Sequence, residues 1–591
     1  MRFSTLTSYF ERLEKTTKRL EMIDILTELL KKTDTNELEP VIYMVIGQLG
    51  PKYDEPALGI AERMAIEALI NATGVSQKKV QDTLNQVGDL GEAAYILLSK
   101  ERSSTLDAFF ETTGEDETEE RDPEVLEIWR QLHQIAKLTG EGSAKAKVRA
   151  LTKILTSVSP KGAKYIMRIV LGKMRLGVAD MTVVEAITRA YIGDKTKKPI
   201  VELAYFKTSN LAEIAKIAKE KGIEALEKIK VEPGRPVQCM AAQRLSDPEE
   251  ILEKLGGKCQ LEYKYDGLRF QYHYTKDGKA KLWSRRQEDL TSMFPDVINA
   301  LNTAFGETPI ITEGEIVAYN FQENKIVDFQ TLMQRRRKYD IEKMIQEVPS
   351  KVFLFDILYA DNQDITSRPL PERRKILEQH THVFKKVDLS TAEIIDNVDD
   401  FNVFFDKAIE ENCEGVMAKD ISEKSIYEAG ARGWLWIKYK ADYKSELADT
   451  FDLVVVGAWH GRGRRGGFYG TLLMAAYDSE EGVFRTLCKL GSGLNDAHLE
   501  FLKQKLDELK LPEKPKDVIS KLEPDIWVKP EIVMEITATE ITNSPVHTVL
   551  DENGNGLALR FPRFTGRFRD DKSPYDATTV QEIRELKKLK R

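Results

Sequence analysis

Residues 260–275, QLEYKYDGLRFQYHYT, indicate the fold class of the middle of the chain. Its β-rich pattern predicts two strands, with Lys264 between them and Gly267 beside a tight turn. Further short β-rich runs follow as far as WIKYK at residues 436–440, and helical stretches such as LPERRKILEQ lie between them. Strands interleaved with helices in this way predict an α/β or α+β domain, which we place at residues 232–445.

The regions on either side have different periodicities. EMIDILTELLKK (21–32) and similar segments place apolar residues three and four positions apart, which predicts an all-α region over residues 1–231. Two prolines and a glycine at Val231-Glu-Pro-Gly-Arg-Pro236 end that period. Short strands such as FDLVVVGAWHG, separated by glycine-rich turns, follow residue 448 and predict a small β-barrel over residues 446–591.

The bulk composition is that of a soluble protein of several domains. The 591 residues are 41% hydrophobic and 31% charged, with no apolar run long enough to span a bilayer and no export signal at the start. Four cysteines lie far apart, which argues against a disulfide framework and against a cysteine-rich zinc site. We therefore expect a cytoplasmic protein that does not associate with membranes. We also expect a monomer.

One segment of the chain is basic although the whole chain carries a negative net charge. The net charge is −8, yet residues 141–177 carry nine Lys or Arg residues against one acid, Glu141. Phosphate binding depends on where cations lie and not on their sum, so this segment predicts a nucleic-acid surface, although an ordinary solvated helical face has the same pattern. The candidate DNA contacts are Lys161, Lys164, Arg168, Lys173 and Arg175.

Lys264 is the candidate nucleophile, although a lone K-x-D-G is weak evidence and such a lysine is most often on the surface. Its amine can attack phosphorus only when unprotonated, so burial or nearby cations must lower its pKa. Lys438, Lys440 and Arg285 are the candidate cations. Because WIKYK alternates, Lys438 and Lys440 share one strand face with Trp436 and would point the same way.

The order of the motifs carries a resemblance to a known family. KYDGLR is followed by SRRQEDLTSMFPD (284–296), TEGEIVA (312–318), FLFDILY (353–359), EGVMAKD (414–420) and WIKYK. These segments resemble the six ordered motifs of covalent nucleotidyltransferases. The chain is most similar to ATP-dependent DNA ligases of the archaeal and eukaryotic replicative type, as far as the terminal LRFPRFTGRFRDDKSPYDAT (559–578).

The resemblance implies a fold, a reaction and its cofactors. It implies an all-α DNA-binding domain, an α/β nucleotidyltransferase (adenylation) domain and a C-terminal β-barrel of the OB-fold type. It also implies sealing of 3′-OH/5′-phosphate nicks in duplex DNA during replication, repair and recombination. The reaction would pass through AMP on Lys264 and then through adenylated DNA, with ATP as donor and Mg²⁺, or alternatively Mn²⁺, as metal.

Residue roles follow from the resemblance in the same way. The implied catalytic residues are Lys264, Lys438, Lys440 and Arg285. The implied nucleotide-binding residues are Glu262, Arg269, Arg285, Glu315, Phe355, Met417, Arg432, Lys438, Arg569 and Lys572. Glu315 and Glu414 are the implied metal ligands, with Glu313 as a neighbour. The terminal domain would move over the nucleotide about a hinge near residues 440–448, with Arg569 and Lys572 binding the pyrophosphate that leaves.

Two N-terminal segments have further implied partners. Residues 159–168 and 171–177 resemble the DNA-binding domain of these ligases, which holds nicked duplex DNA. The segment SSTLDAFF resembles the peptide by which replication proteins bind a sliding clamp through residues equivalent to Leu106, Phe109 and Phe110. Serine stands there in place of the usual leading glutamine, and a Leu with paired Phe residues can equally fill a core.

Other functions compete with this interpretation. An RNA ligase or an mRNA capping guanylyltransferase uses the same lysine and carboxylates, but neither accounts for the helical region in front. An NAD-dependent ligase carries a four-cysteine zinc module that the sequence lacks. A DNA-end-binding scaffold without catalysis would need basic surfaces only, and the retained Lys264, Glu315 and Glu414 argue against it.

Overall fold

The described part of the chain, given by a computed structural model, comprises residues 1–110, 122–335, 340–440 and 450–589, without the side chains of 101–110, 330 and 589. It divides into two compact units. One unit holds the described residues within Met1–Gly59, Asp122–Thr139 and Gly172–Lys444. The other holds those within Ile60–Arg121, Gly140–Leu171 and Ser445–Arg591. The domain boundaries at residues 231 and 445 stay predictions.

The N-terminal region is helical, as its periodicity predicts. Its helices are α1 (Phe3–Glu14), α2 (Arg19–Lys32), α3 (Leu38–Ile46), α4 (Glu62–Thr73), α5 (Gln77–Val87), α6 (Leu90–Phe110), α7 (Val125–Lys137), α8 (Ser143–Ser157), α9 (Pro160–Val170), α10 (Asp180–Ile187), α11 (Lys198–Thr208), α12 (Leu211–Lys221) and α13 (Ile223–Glu227). Helix α9 shows how the sequence sets a helix start. The Ser159 hydroxyl accepts the Gly162 N–H at 3.1 Å, and Pro160 occupies the first turn, where no N–H is needed.

The central region combines helices with strands, which confirms the predicted class. Its helices are α14 (Pro248–Lys254), α15 (Pro295–Phe305), α16 (Phe329–Met333), α17 (Ile341–Glu347), α18 (Leu370–His380) and α19 (Val398–Glu410). Its strands are β1 (Gln243–Arg244), β2 (Cys259–Lys264), β3 (Leu268–Tyr274), β4 (Ala280–Ser284), β5 (Ile310–Asn320), β6 (Lys325–Val327), β7 (Ser350–Ala360), β8 (Gln363–Asp364), β9 (Val387–Leu389), β10 (Ala392–Ile395), β11 (Gly415–Lys419) and β12 (Trp436–Lys440).

These strands form two sheets. One sheet has the order β1-β12-β11-β2-β10, and the other has the order β4-β3-β5-β7-β8, with β6 beside β5 and β9 beside β7. The two strands predicted around Lys264 are therefore present but do not form a hairpin, because β2 and β3 belong to different sheets. A shared core packs Leu261 and Ile437 of the first sheet with Val317 and Phe353 of the second. Lys264 thus lies where the chain crosses between the sheets.

The C-terminal region is rich in strands, as predicted. Its elements are β13 (Phe451–His460), β14 (Tyr469–Asp478), β15 (Val483–Leu490), α20 (Asp496–Glu508), β16 (Lys510–Leu511), β17 (Val518–Ile519), β18 (Ile526–Val528), β19 (Val533–Thr537), β20 (Glu540–Asn543), β21 (Val549–Leu550), β22 (Gly556–Arg560), β23 (Arg563–Phe568) and α21 (Val580–Leu589). Strand β13 pairs with β14, β18 and β19, and its register shifts between Val455 and Gly457. Such a bulge bends a strand, so the sheet curls. Among the described residues, no helix is both long and apolar enough to cross a membrane.

Candidate active site

A cleft of about 530 Å³ opens in the central region. It is lined from both sheets and from the loops that join them, and most of its polar lining is charged. The lining residues are Ala242, Glu262, Tyr263, Lys264, Tyr265, Gly267, Leu268, Arg269, Ser284, Arg285, Arg286, Glu288, Glu315, Phe355, Met417, Lys419, Arg432, Lys438 and Lys440. Most of the residues implied for catalysis and nucleotide binding are therefore brought together.

Lys264 stands at the end of β2, opposite Gly415 of β11. Its ammonium forms an ion pair with Oε2 of Glu414, and Lys440 pairs with Oε1 of the same carboxylate. A Cβ at Gly415 would lie 2.2 Å from the carbonyl oxygen of Tyr439, so only glycine lets β11 and β12 approach here. The register of β11 with β2 and β12 places Lys264 and Lys440 on either side of this glycine.

The pKa of the Lys264 amine is lowered, chiefly by burial. Arg285 and Arg269 lower this pKa further, whereas Glu315 and Asp266 raise it. A lysine in this environment loses its proton at a smaller cost in free energy than one in water. The structure therefore gives Lys264 the property that a nucleophilic amine requires.

Glu315 is paired in register with Arg269 across β5 and β3. Burial raises the pKa of its carboxyl to about 7, while Lys264 and Arg269 oppose the rise. Gly267 makes room for it, since a Cβ there would lie 2.9 Å from Cγ of Glu315 and 2.3 Å from the carbonyl oxygen of Ile316. A further cation near a buried carboxyl with a raised pKa would stabilise the ionised form of that carboxyl.

One end of the cleft has an aromatic and acidic character. Glu262 is 2% exposed and accepts a hydrogen bond of 2.8 Å from Lys419 and one of 3.1 Å from the Ser390 hydroxyl. The Lys419 ammonium lies 5.0 Å from the ring centre of Phe355 and 4.5 Å from that of Trp436. This end offers ring faces beside a hydrogen-bond acceptor and a donor, as a planar base requires.

The predicted alternation of WIKYK is confirmed. Trp436 packs in one cluster with Phe355 and Met417, while Ile437 and Tyr439 pack in the core between the sheets. Lys438 and Lys440 then line the cleft. Burial lowers the pKa of Lys438, and the neighbouring cations Lys264, Arg432 and Arg285 lower it further. These cations repel one another, and an anion bound between them would relieve that repulsion. The cluster is therefore suited to binding an anion.

Glu313 has a different role from the metal neighbour that the sequence indicated. The side chain is fully buried, and its Oε2 accepts hydrogen bonds from Arg269 at 2.9 Å and Tyr427 at 2.8 Å. Gln271 and Cys239 donate to its other oxygen, each at 3.2 Å. Glu313 therefore holds Arg269 in place against the cleft.

The sequence interpretation missed several residues of the site. Lys419 and Arg286 line the cleft but were not singled out, and neither was Tyr427, which positions Arg269 through Glu313. A local signal existed for Lys419, because it lies two positions after Met417 on β11 and so faces the same side. No local pattern distinguishes Tyr427, which lies outside the ordered motifs.

Arg569 and Lys572 lie in the C-terminal region and are not among the residues that line the cleft. Each forms an ion pair of 2.7 Å with Asp452, and Arg569 forms a further pair of 2.8 Å with Asp571. In this structure the predicted pyrophosphate-binding cations are thus held by carboxylates of their own region. The predicted hinge lies outside the described residues, apart from Lys440 itself.

The basic segment divides into buried and exposed cations. Arg168 is 5% exposed and donates from Nε to Asp89 at 3.0 Å, so its charge is neutralised inside the helical region. Lys164 is mostly buried and pairs with Glu92 at 2.7 Å. Helix packing encloses Arg168, and the five predicted DNA contacts stay predictions. Lys161, Lys173 and Arg175 are exposed.

The proposed clamp-binding residues cannot be placed among these contacts. Leu106, Phe109 and Phe110 fall within α6, but their side chains lie outside the described residues, as does the acidic segment at 111–121. The clamp interaction therefore stays a prediction.

Comparisons with known proteins agree with the geometry of the cleft. Three family models match: DNA ligase N terminus over residues 2–188, ATP dependent DNA ligase domain over 239–440, and ATP dependent DNA ligase C terminal region over 465–572. DNA ligase 2 of Thermofilum pendens is 47% identical over 590 residues, covering 99% of this chain and 97% of the relative. A DNA ligase of Caldivirga maquilingensis is 45% identical over 593 residues, covering 99% and 97%.

A solved structure shares the fold along most of the chain. The structure named Pmar-Lig_Pre has a TM-score of 0.51 and 18% sequence identity, covering 96% of this chain and 99% of its own. The family models and the curated relatives together span both flanking regions and the cleft. The chain belongs to the ATP-dependent DNA ligase family.

Proposed function

We propose that this protein seals 3′-OH/5′-phosphate nicks in duplex DNA, with Lys264 as the residue that carries AMP. The observation that carries the proposal is the lowered pKa of Lys264 in a cleft that is also lined by the cations Lys438, Lys440 and Arg285 and by Glu262 and Phe355. The amine and the base-binding end then lie in one cleft, which is what transfer of a nucleotide to lysine requires.

In the first step, the unprotonated Lys264 amine forms a bond to the α-phosphorus of ATP, and the bond to pyrophosphate breaks. The Lys264 ammonium loses one proton to water before the attack, at a cost that burial lowers, and the nitrogen loses a second proton to water as the phosphoramidate forms. Negative charge grows on the phosphoryl oxygens, where Lys438, Lys440 and Arg285 stabilise it. The resulting lysine–AMP bond stores the nucleotide until a nick binds. An oxygen of the 5′-phosphate then displaces the Lys264 nitrogen from the phosphorus of AMP. The 3′-OH finally loses its proton and attacks the adenylated 5′-phosphate, so that the phosphodiester bond forms and AMP leaves.

The residues present fit a divalent cation. Mg²⁺ is commonly held by one or two carboxylates together with substrate phosphate oxygens and water, and Glu315 and Glu414 supply that donor set. The raised pKa of Glu315 supports the fit, because a nearby cation would favour its ionised form. When bound, Mg²⁺ or Mn²⁺ would polarise the phosphoryl oxygens as a Lewis acid. Among the described residues, no group of three or more His, Cys, Asp or Glu side chains lies close enough together to hold a metal ion.

The adenosine is assigned to the aromatic end of the cleft. Phe355 stacks on adenine, Met417 covers the other face, and Glu262 accepts from the exocyclic amine. Arg269, held by Glu313, contacts the ribose. Arg432 lies near the nucleotide, and the pyrophosphate that leaves passes to Arg569 and Lys572. The last two cations must exchange Asp452 for phosphate to do so.

Nicked duplex DNA is assigned to the exposed part of the basic segment. Lys161, Lys173 and Arg175 carry charge at the surface and are suited to phosphate contacts, which position a duplex without reading its sequence. Lys164, which pairs with Glu92, contributes after it changes partner. Binding by phosphate contacts serves a sealing enzyme in replication, repair and recombination alike, because nicks arise in any sequence.

The test is transfer of label from α-labelled ATP to the protein with Mg²⁺, followed by denaturing electrophoresis and by a nick-sealing assay. We expect wild type and Lys276→Arg to acquire label, since Lys276 is exposed and outside the cleft. Lys264→Arg should acquire none. Label on Lys264→Arg at the wild-type level would overturn the proposal. A chain that only binds DNA ends would remain unlabelled in every form, and competition with GTP or NAD identifies the donor.

The clamp interaction is tested separately. Phe109→Ala with Phe110→Ala should abolish capture of the chain by an immobilised sliding clamp, because paired aromatic side chains anchor such peptides in an apolar pocket. Nick sealing without the clamp should stay at the wild-type rate. Equal capture of the variant and the wild type would dismiss this segment as the contact.

A further inference from the structure

The loop that follows β4 carries two arginines into the cleft and a glutamine away from it. Arg285 and Arg286 line the cleft, whereas Gln287 is 4% exposed and is not part of the lining. The loop is tightly tied, because the Gln287 N–H donates to the carbonyl of Ser284 at 2.8 Å and the Ser284 hydroxyl accepts the Glu288 N–H at 3.1 Å. Gln287 itself has a left-handed φ of +66°.

The side chain of Gln287 reaches the helical region. Its Nε2 donates to the hydroxyl of Ser209 at 2.5 Å, and that hydroxyl donates to the carbonyl of Pro236 at 2.7 Å. Ser209 is 5% exposed and lies between α11 and α12, where its N–H caps α11 by donating to the carbonyl of Tyr205 at 2.7 Å. Two buried hydrogen bonds therefore join the end of α11, Pro236 and the loop that follows β4.

We propose that Gln287 is a positioning residue, which with Ser209 sets the place of Arg285 in the cleft for nucleotide transfer. The inference rests on the proposed function and adds a residue to it. Arg285 precedes Gln287 by two positions in a tied turn, so a shift of Gln287 moves the arginine as well. A misplacement of about 1 Å can cost a reaction about 100-fold, and a partial shift costs less. The helical region thereby controls the chemistry through one side chain.

The backbone supplies variants that remove the contact without strain. Ser209 has φ +52° and Gln287 has φ +66°, a region that glycine occupies at no steric cost. Ser209→Gly deletes the hydroxymethyl group, and Gln287→Gly deletes the whole side chain. Asn362→Gly is the matched control, since Asn362 has φ +59°, is exposed and lies in the same central region.

The measurement is the single-turnover rate of self-adenylation as ATP is varied. We expect Ser209→Gly and Gln287→Gly each to lower the rate at saturating ATP about tenfold, with a smaller change in the ATP concentration that gives half the maximal rate. Arg285 acts on charge that develops in the transition state, which is why the rate is the quantity affected. The double variant should be no slower than either alone, and Asn362→Gly should match the wild type.

The Arg285→Ala background separates positioning from a general structural effect. There Ser209→Gly should cause no further loss, because the group through which it acts is gone. A wild-type rate for Ser209→Gly, or an undiminished tenfold loss in the Arg285→Ala background, would overturn the inference. Either result would leave the proposed function intact if Lys264→Arg still fails to acquire label.

Discussion

Removing the charge of Glu313 should destabilise the central region far more than its small chemical change indicates. Glu313→Gln keeps the size of the side chain, but one carboxylate oxygen becomes an amide NH₂. That group would face donors, because Arg269 and Tyr427 donate to one oxygen, and Gln271 and Cys239 donate to the other. Tyr427 cannot simply turn to accept, since its hydroxyl oxygen already accepts the Met240 N–H at 3.0 Å.

The magnitude follows from burial. The side chains of Arg269 and Glu313 are 15% and 0% exposed, so the variant leaves the arginine charge buried without its partner. Breaking a buried ion pair by removing one member costs about 3–5 kcal/mol. In a domain of roughly 200 residues, each kcal/mol lowers the melting temperature by about 2–4 °C, so we expect a decrease of roughly 6–20 °C.

Differential scanning calorimetry of the full chain measures this decrease. Glu347→Gln is the control in the same unit, because Glu347 and Lys343 are 53% and 72% exposed and a surface pair contributes about 0–1 kcal/mol. Adding Arg269→Met to Glu313→Gln should recover part of the loss, since the unpaired charge is then gone. A decrease for Glu313→Gln no larger than that for Glu347→Gln would contradict the expected cost of breaking this buried ion pair.

Three further expectations concern DNA binding, packing and pH. Lys173→Glu with Arg175→Glu should weaken binding to a nicked duplex, measured by fluorescence anisotropy, and should make that binding less dependent on salt. Self-adenylation should stay unchanged. An equal loss of DNA binding and self-adenylation would contradict the assignment of these two residues to DNA. Asp89→Ala should cost about 3–5 kcal/mol of stability by removing the carboxylate that pairs with the buried Arg168, and an unchanged melting temperature would contradict that. Burial lowers the pKa of His273 to about 3, below its usual 6.5, so its stabilising contribution is complete above about pH 6.5 and declines as the pH falls toward 3. His273→Gln should accordingly lose less stability than wild type between about pH 7 and about pH 5. Equal losses would contradict the assignment of this pH dependence to His273.

The local sequence pattern was sufficient to predict the class of secondary structure in each region and many of the residues that line the cleft. The alternation of WIKYK predicted which side chains share the face of β12, and the structure confirms it, because side chains on any strand alternate between faces. Helical periodicity before residue 231 and β-rich runs after it predicted the order of the regions. The ordered motifs indicated Lys264, Glu315 and Phe355, and all three line one cleft.

Other features depend on contacts between residues far apart in the sequence. Nothing near Arg168 shows that it pairs with Asp89, 79 positions away, inside the helical region. Similarly, Glu313 and Glu315 are the same residue type two positions apart. Glu313 is nevertheless fully buried, and its carboxylate accepts hydrogen bonds from other segments of the chain. A charge pattern alone cannot separate a surface cation from a buried one, because burial depends on what packs against the residue.

The succession of helical, mixed and strand-rich regions, and the residue types available for nucleotide transfer, therefore follow from local sequence. Only folding brings β2 and β3 into different sheets, Glu414 to Lys264 across 150 positions, and Ser209 to Gln287 across 78. The difference arises from the range of the interactions. Periodicity reports how a segment contacts its immediate surroundings, whereas the partner of a buried charge or hydrogen bond is selected by the packing of the whole region.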